Sequence, residues 1–116
     1  GDEGLDELSL AGGNEVAVVR DHGFAMQRVS AADAGLASAP VEALRGDDAE
    51  YNAAAWRRLL MGEEGAYRDA VLFNAAGALI VAGEAQGWAD GAEEAAEAID
   101  KGLANTLLDC WIDHTR

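Results

Sequence analysis

From Ala66 to Gly83 the chain reads AYRDAVLFNAAGALIVAG, and after Asp69 every side chain is apolar or very small except Asn74. A surface helix shows an apolar stripe about 100° wide, whereas a helix apolar all round must be buried on nearly every side. The pattern predicts a core helix over residues 65–83, with Ala75, Ala76, Gly77 and Gly83 small enough to let a neighbouring backbone come close. The run is shorter than a membrane span needs, carries Asn74 and lacks basic or aromatic flanks, so no membrane insertion is expected. A helix of this kind requires more surrounding structure than a short chain easily supplies.

Upstream the period changes to two. Val16 and Val18 alternate with Ala17 and Val19, Asp21-His22-Gly23 supplies turn chemistry, and Phe24, Met26 and Arg28 share one face of the return. A β-hairpin over residues 14–30 is expected, needing a partner because two strands alone are marginal in water. Ser30 followed three residues later by Asp33 has capping-box spacing and predicts a helical turn running to Gly35. A connector around Pro40 leads to a helix at 48–62, opened by Asp47 or Asp48 and closed by Gly62. Its inner face is read as Asn52, Ala55, Trp56, Leu59 and Leu60, with Arg57 and Arg58 pointing outward. A loop holding Trp88 precedes a last helix at 90–113, capped by Asp90 and Glu93. Its stripe runs Ala92, Ala95, Ala96, Ile99, Leu103, Leu107 and Cys110 at helical spacing. The expected architecture is a hairpin followed by three to four helices, within one domain of 116 residues.

Composition narrows the partners. Eight basic residues against 22 acidic ones give a formal charge of −14, which repels phosphate backbones and anionic membranes and argues against nucleic-acid binding. A phosphorylated ligand would need a divalent cation to bridge it to the carboxylates. The single cysteine, Cys110, permits no internal disulfide, and no basic-then-apolar leader opens the chain, so a cytoplasmic location is expected. Cys110 reads as a buried, inert thiol, and His22 and His114 as surface residues. The opening GDEGLDELS lacks an initiator Met and reads as a piece of a longer protein.

Familiar catalytic signatures are missing: there is no G-x-G-x-x-G, P-loop, C-x-x-C or H-E-x-x-H. What remains is Gly4-Leu5-Asp6-Glu7-Leu8-Ser9. Adjacent carboxylates on a loop can turn toward one cation, and Mg²⁺ takes one or two carboxylates together with substrate phosphate oxygens. On spacing alone the signal is weak, because in a chain this acidic an adjacent Asp-Glu pair is more often just a pair of solvated surface acids.

GLDELS, the hairpin, SAADAGL and GDDAEYNAAAWRRLLMGEEGAYRDAVLFNAAGAL, in that order, resemble the C-terminal part of the anthranilate phosphoribosyltransferase family. GLDELS and the block from Gly62 to Leu79 are the most specific portions. The resemblance implies the C-terminal portion of a phosphoribosyltransferase-type α/β domain, so residues 1–116 would form a single partial domain. It places Asp6 and Glu7 on the pair that binds the Mg²⁺ carrying phosphoribosyl pyrophosphate, with anthranilate as the second substrate. It implies no catalytic or other cofactor-binding residue in this stretch, and a structural role for Ser9. Glu3 stands where the family commonly has Asp, and Tyr51 where it usually has Glu. The family's diphosphate-binding turn and anthranilate-contacting residues have no counterpart here, so the piece is expected to be inactive alone; exposed sheet edges and unburied apolar helix faces are expected to make it self-associate. A related nucleoside phosphorylase and a non-catalytic assembly module stay open as alternatives. Asn52 and Asn74 are read as buried amides satisfying backbone groups.

Overall fold

A computed structural model describes residues 1–115. Among them, an N-terminal loop leads into the antiparallel strands β1 (Gly13–Arg20) and β2 (Gly23–Ser30). Short 3₁₀ turns at Ala31–Ala34 and Val41–Leu44 connect these to helices α1 (Ala49–Leu60), α2 (Ala66–Val81), α3 (Trp88–Asp100) and α4 (Leu103–Thr115). The hairpin and the helical remainder follow the expected order.

The strand register pairs Val19 with Phe24, Ala17 with Met26 and Glu15 with Arg28, so these six share a face, and that face is exposed. The other face turns Asn14 and Val29 inward. Ser30 opens the following turn as read: its N–H donates to Asp33 Oδ2 at 2.8 Å, and Gly35 closes it in the left-handed region. At α1, Asp48 is the residue that caps, accepting from the Tyr51 N–H at 2.8 Å.

The core gathers on α2. Phe73 and Ala76 are completely buried, and Trp88 meets Phe73 edge-on with ring centroids 5.5 Å apart. Ala92, Ala95 and Ile99 bring α3 against this face. The close approach falls where Ala76 faces Gly91: a β-carbon built on Gly91 would lie 2.8 Å from Ala76 Cα. Leu10, Val29 and Ala31 seal the side toward the hairpin. The flank of α2 carrying Ala78 and Val81 is exposed, Val81 at 89 %, so the helix is enclosed on one side and open at its C-terminal end.

The expected last helix at 90–113 is two helices. Gly102 takes φ +76°, a left-handed conformation that costs glycine little, and so ends α3 at Asp100 with Lys101 as its C-cap. The apolar stripe therefore does not continue: Leu103 and Leu107 are exposed, Leu108 is the α4 residue that goes inside, and Cys110 is exposed rather than buried. The helix also begins earlier, at Trp88 after Gly87, and no side chain caps it, so the Asp90–Glu93 box does not form. Burial of the Trp88 ring against Phe73 outweighs the local cap signal.

On α1 the expected inner face is partly wrong. Asn52 and Trp56 are exposed, while Arg57 turns toward α4, donating to Asn105 Oδ1 at 2.6 Å and pairing with Asp109 at 2.8 Å. Asn52 still serves the backbone: its amide accepts the Asp47 N–H and donates to the Asp47 carbonyl.

Candidate functional site

The carboxylates singled out in the sequence, Asp6 and Glu7, stand exposed on the loop before β1. Among the described residues neither is ion-paired to an arginine or lysine, and no third His, Cys, Asp or Glu joins them to form a cluster able to enclose a metal ion. Two adjacent hard oxygen donors left open to solvent fit Mg²⁺, which keeps most of its shell for water and phosphate oxygens.

The loop is fixed immediately beyond them. The Leu8 N–H donates to Asn74 Oδ1 at 2.8 Å, and Asn74 Nδ2 donates to the Leu8 carbonyl at 3.1 Å. The next residue is held the same way from the other side. The Ser9 N–H donates to Asn14 Oδ1 at 2.7 Å, and Asn14 Nδ2 donates to the Ser9 carbonyl at 3.0 Å. Asn14 is 0 % exposed and also donates to the Val29 carbonyl, while Asn74 also donates to Ala70 one turn back on α2. Ser9 is buried, its hydroxyl accepting the Ala11 N–H at 3.0 Å, a structural role as the resemblance implied. Upstream, Arg28 pairs with Asp2, and the Asp2 N–H donates to the Gly13 carbonyl, tying the chain start to the hairpin.

Asn14 escaped the sequence reading. An amide opening a strand that must bury one face was the available signal, since a buried carboxamide needs several backbone partners. A second missed feature is Arg68 on α2, a charged residue only 9 % exposed, which donates to both Asp100 oxygens at 2.8 and 2.9 Å. These bonds hold the Asp100 carboxyl below the usual range and raise the guanidinium further. Burial pushes the neighbouring Asp69 carboxyl up, with Arg68 opposing and Glu64 adding to the rise. The pair fastens the N-terminal end of α2 to the C-terminal end of α3 and, among the described residues, makes no ion pair with Asp6 or Glu7.

An open cleft of about 590 Å³ lies between α1, the turn before it and the start of α2. Arg58 and Arg68 line it, but their guanidinium groups are committed to Glu63 and Asp100, and Asp6 and Glu7 are not among its walls.

Residues 1–105 match the model of the glycosyl transferase family, a/b domain. The chain belongs to that family. Among its relatives is the anthranilate phosphoribosyltransferase of Novosphingobium aromaticivorans, 70% identical over 112 residues, covering 97% of this chain and 34% of the relative. The anthranilate phosphoribosyltransferase of Sphingopyxis alaskensis shows the same identity and coverage. The crystal structure of anthranilate phosphoribosyltransferase (TrpD) from Thermus thermophilus superposes with a TM-score of 0.83 at 37% identity, covering 96% of this chain and 33% of that one. This glycosyl transferase domain segment thus spans about a third of the length of the relatives it matches. The hairpin and four helices correspond to that region of the α/β fold.

Proposed function

We propose that this chain is the C-terminal part of an anthranilate phosphoribosyltransferase. In the whole enzyme the amine of anthranilate displaces pyrophosphate from C1 of phosphoribosyl pyrophosphate, a step serving tryptophan biosynthesis in the cytoplasm. The observation that carries this reading is the GLDELS loop. Its two carboxylates are exposed and free of basic partners among the described residues, on a backbone anchored to both β1 and α2. Asp6 and Glu7 are the residues that would hold Mg²⁺, which supplies positive charge toward a leaving diphosphate. The residues present form one wall of such a site within a larger domain, so residues 1–116 alone turn over no substrate. The exposed hairpin face and the exposed Leu103, Leu107 and Trp111 of α4 are surfaces for self-association.

The test is a pair of assays. Restored in the complete enzyme, Asp6→Asn together with Glu7→Gln should raise the Mg²⁺ requirement and cut kcat/KM for phosphoribosyl pyrophosphate by more than tenfold. Thermal stability should stay nearly constant, because neither side chain is buried. Wild-type kinetics in the double variant would end the metal reading. Turnover of nucleosides in preference to anthranilate by the complete enzyme would move the chain to a related phosphorylase.

A further inference from the structure

Asn14 and Asn74 come from different elements, the first residues of β1 and the middle of α2, yet they act on consecutive residues of one loop. Each uses its oxygen and one amide hydrogen to bind the N–H and carbonyl of a single residue. That arrangement copies the two-bond pairing between opposite residues of an antiparallel sheet. The orientations are forced: exchanging oxygen and nitrogen in either carboxamide would set N–H against N–H and carbonyl against carbonyl. Together they fix three successive peptide units, from the Glu7–Leu8 N–H to the Ser9 carbonyl. The fixed stretch starts where the two free carboxylates end.

We propose that Asn14 and Asn74 are positioning residues that hold the Asp6 and Glu7 carboxylates ready for a divalent cation. The proposal rests on the reading of that loop as a metal half-site. Two adjacent carboxylates repel one another, and drawing both to one ion from a mobile loop would cost the ordering of its backbone as well. With the following peptides already held, only side-chain torsions remain to be ordered, so the cation gains affinity through preorganisation. The anchors differ in consequence. Asn14 is wholly enclosed and ties the loop to β2 through the Val29 carbonyl, so its loss disturbs the hairpin. Asn74 is half-buried, and its loss frees Leu8 while leaving the Phe73 and Ala76 contacts in place.

The experiment uses the complete enzyme that contains these 116 residues, with Mn²⁺ alone, whose paramagnetic broadening of backbone amide signals detects weak binding. In the wild type, broadening should centre on Asp6 and Glu7, and the Leu8 and Ser9 amides should exchange with solvent more slowly than those of Asp6 and Glu7. In Asn74→Ala, exchange at Leu8 should accelerate by about tenfold or more, the loss of roughly one hydrogen bond's worth of protection. Mn²⁺ binding should weaken several-fold. Phe73→Leu is the comparison: it loosens α2 one residue away without touching the clamp, and its folded fraction should bind Mn²⁺ as the wild type does. Unchanged Mn²⁺ affinity in Asn74→Ala overturns the proposal, as does equal loss in Phe73→Leu. Should Asn74→Ala fail to fold, fast exchange of Leu8 and Ser9 in the wild type overturns it and slow exchange supports it. An absence of broadening at Asp6 and Glu7 in the wild type defeats the metal reading itself, whereas broadening there that Asn74→Ala leaves intact defeats only the clamp.

Discussion

Gly91→Ala adds one methyl group where α3 crosses α2, and its outcome turns on two opposed terms. Alanine is a better helix former than glycine by about 1 kcal/mol, which favours the variant. Against this, the new β-carbon would stand 2.8 Å from Ala76 Cα, 2.9 Å from its Cβ and 3.1 Å from its carbonyl oxygen. Two of those atoms are helix backbone and none can swing away. Relief requires α3 to withdraw by several tenths of an ångström, and a gap of 0.5–1 Å forfeits about a quarter to a half of each dispersion contact it opens. The contacts at stake are those of Ala92, Ala95 and Ile99 with the Phe73 face, which make up much of the core. Overpacking of this kind costs roughly 1–3 kcal/mol, and three contacts of 3.1 Å or less on atoms that cannot swing away put this one at roughly 2–3 kcal/mol, so the net loss is about 1–2 kcal/mol after the propensity gain. For a chain of this size that lowers Tm by about 4–10 °C. Thermal unfolding followed by far-UV circular dichroism reads it. Gly87→Ala is the control, since a β-carbon there meets nothing within 4 Å and φ is −160°, and it should be close to neutral. A Tm for Gly91→Ala at or above the wild type would refute the close crossing of α2 and α3.

Acid should weaken the fold through Asp100 and strengthen it through Asp69. Arg68 holds Asp100 below its unfolded value, so its contribution is full above about pH 4 and disappears as pH falls through the depressed value. Burial raises Asp69, so its charge costs stability above the raised value and protonation relieves that cost. Denaturant midpoints measured from about pH 6 to 3 should therefore fall less in Asp100→Asn than in wild type and more in Asp69→Asn; the reverse order would contradict both assignments. Phe73→Ala removes a fully enclosed ring and the edge contact of Trp88, a loss of roughly 3–5 kcal/mol. Trp fluorescence during urea unfolding checks it, and a midpoint within experimental scatter of wild type would mean that α2 does not centre the core.

Much of this architecture is written locally. Alternation and the Asp21-His22-Gly23 turn specify the hairpin, Ser30 and Asp33 the turn after it, the Asp47-Asp48 pair the start of α1, and the apolar run around Asn74 the central place of α2. GLDELS marked Asp6 and Glu7 by composition and by resemblance. Local signals failed where distant groups compete for the same residue. Periodicity carried the last helix straight through Gly102, because a single glycine is tolerated inside a helical pattern; the left-handed φ it adopts turns Leu103, Leu107 and Cys110 outward. Charge placed Arg57 on the surface, whereas Asn105 and Asp109, about fifty residues on, draw it inward. Trp88 read as a loop residue until Phe73, fifteen positions earlier, gave its ring a face to bury against.

The amino-acid order alone thus determined the hairpin, the helices α1 and α2, and which two carboxylates stand together. Tertiary structure decided what holds them: Asn74 reaches Leu8 across 66 positions, and Arg68 reaches Asp100 across 32. A hydrogen bond spanning such separations leaves no periodic trace in the chain, because its partners are chosen by how α2 packs against α3 and the N-terminal loop, and not by any neighbour in sequence.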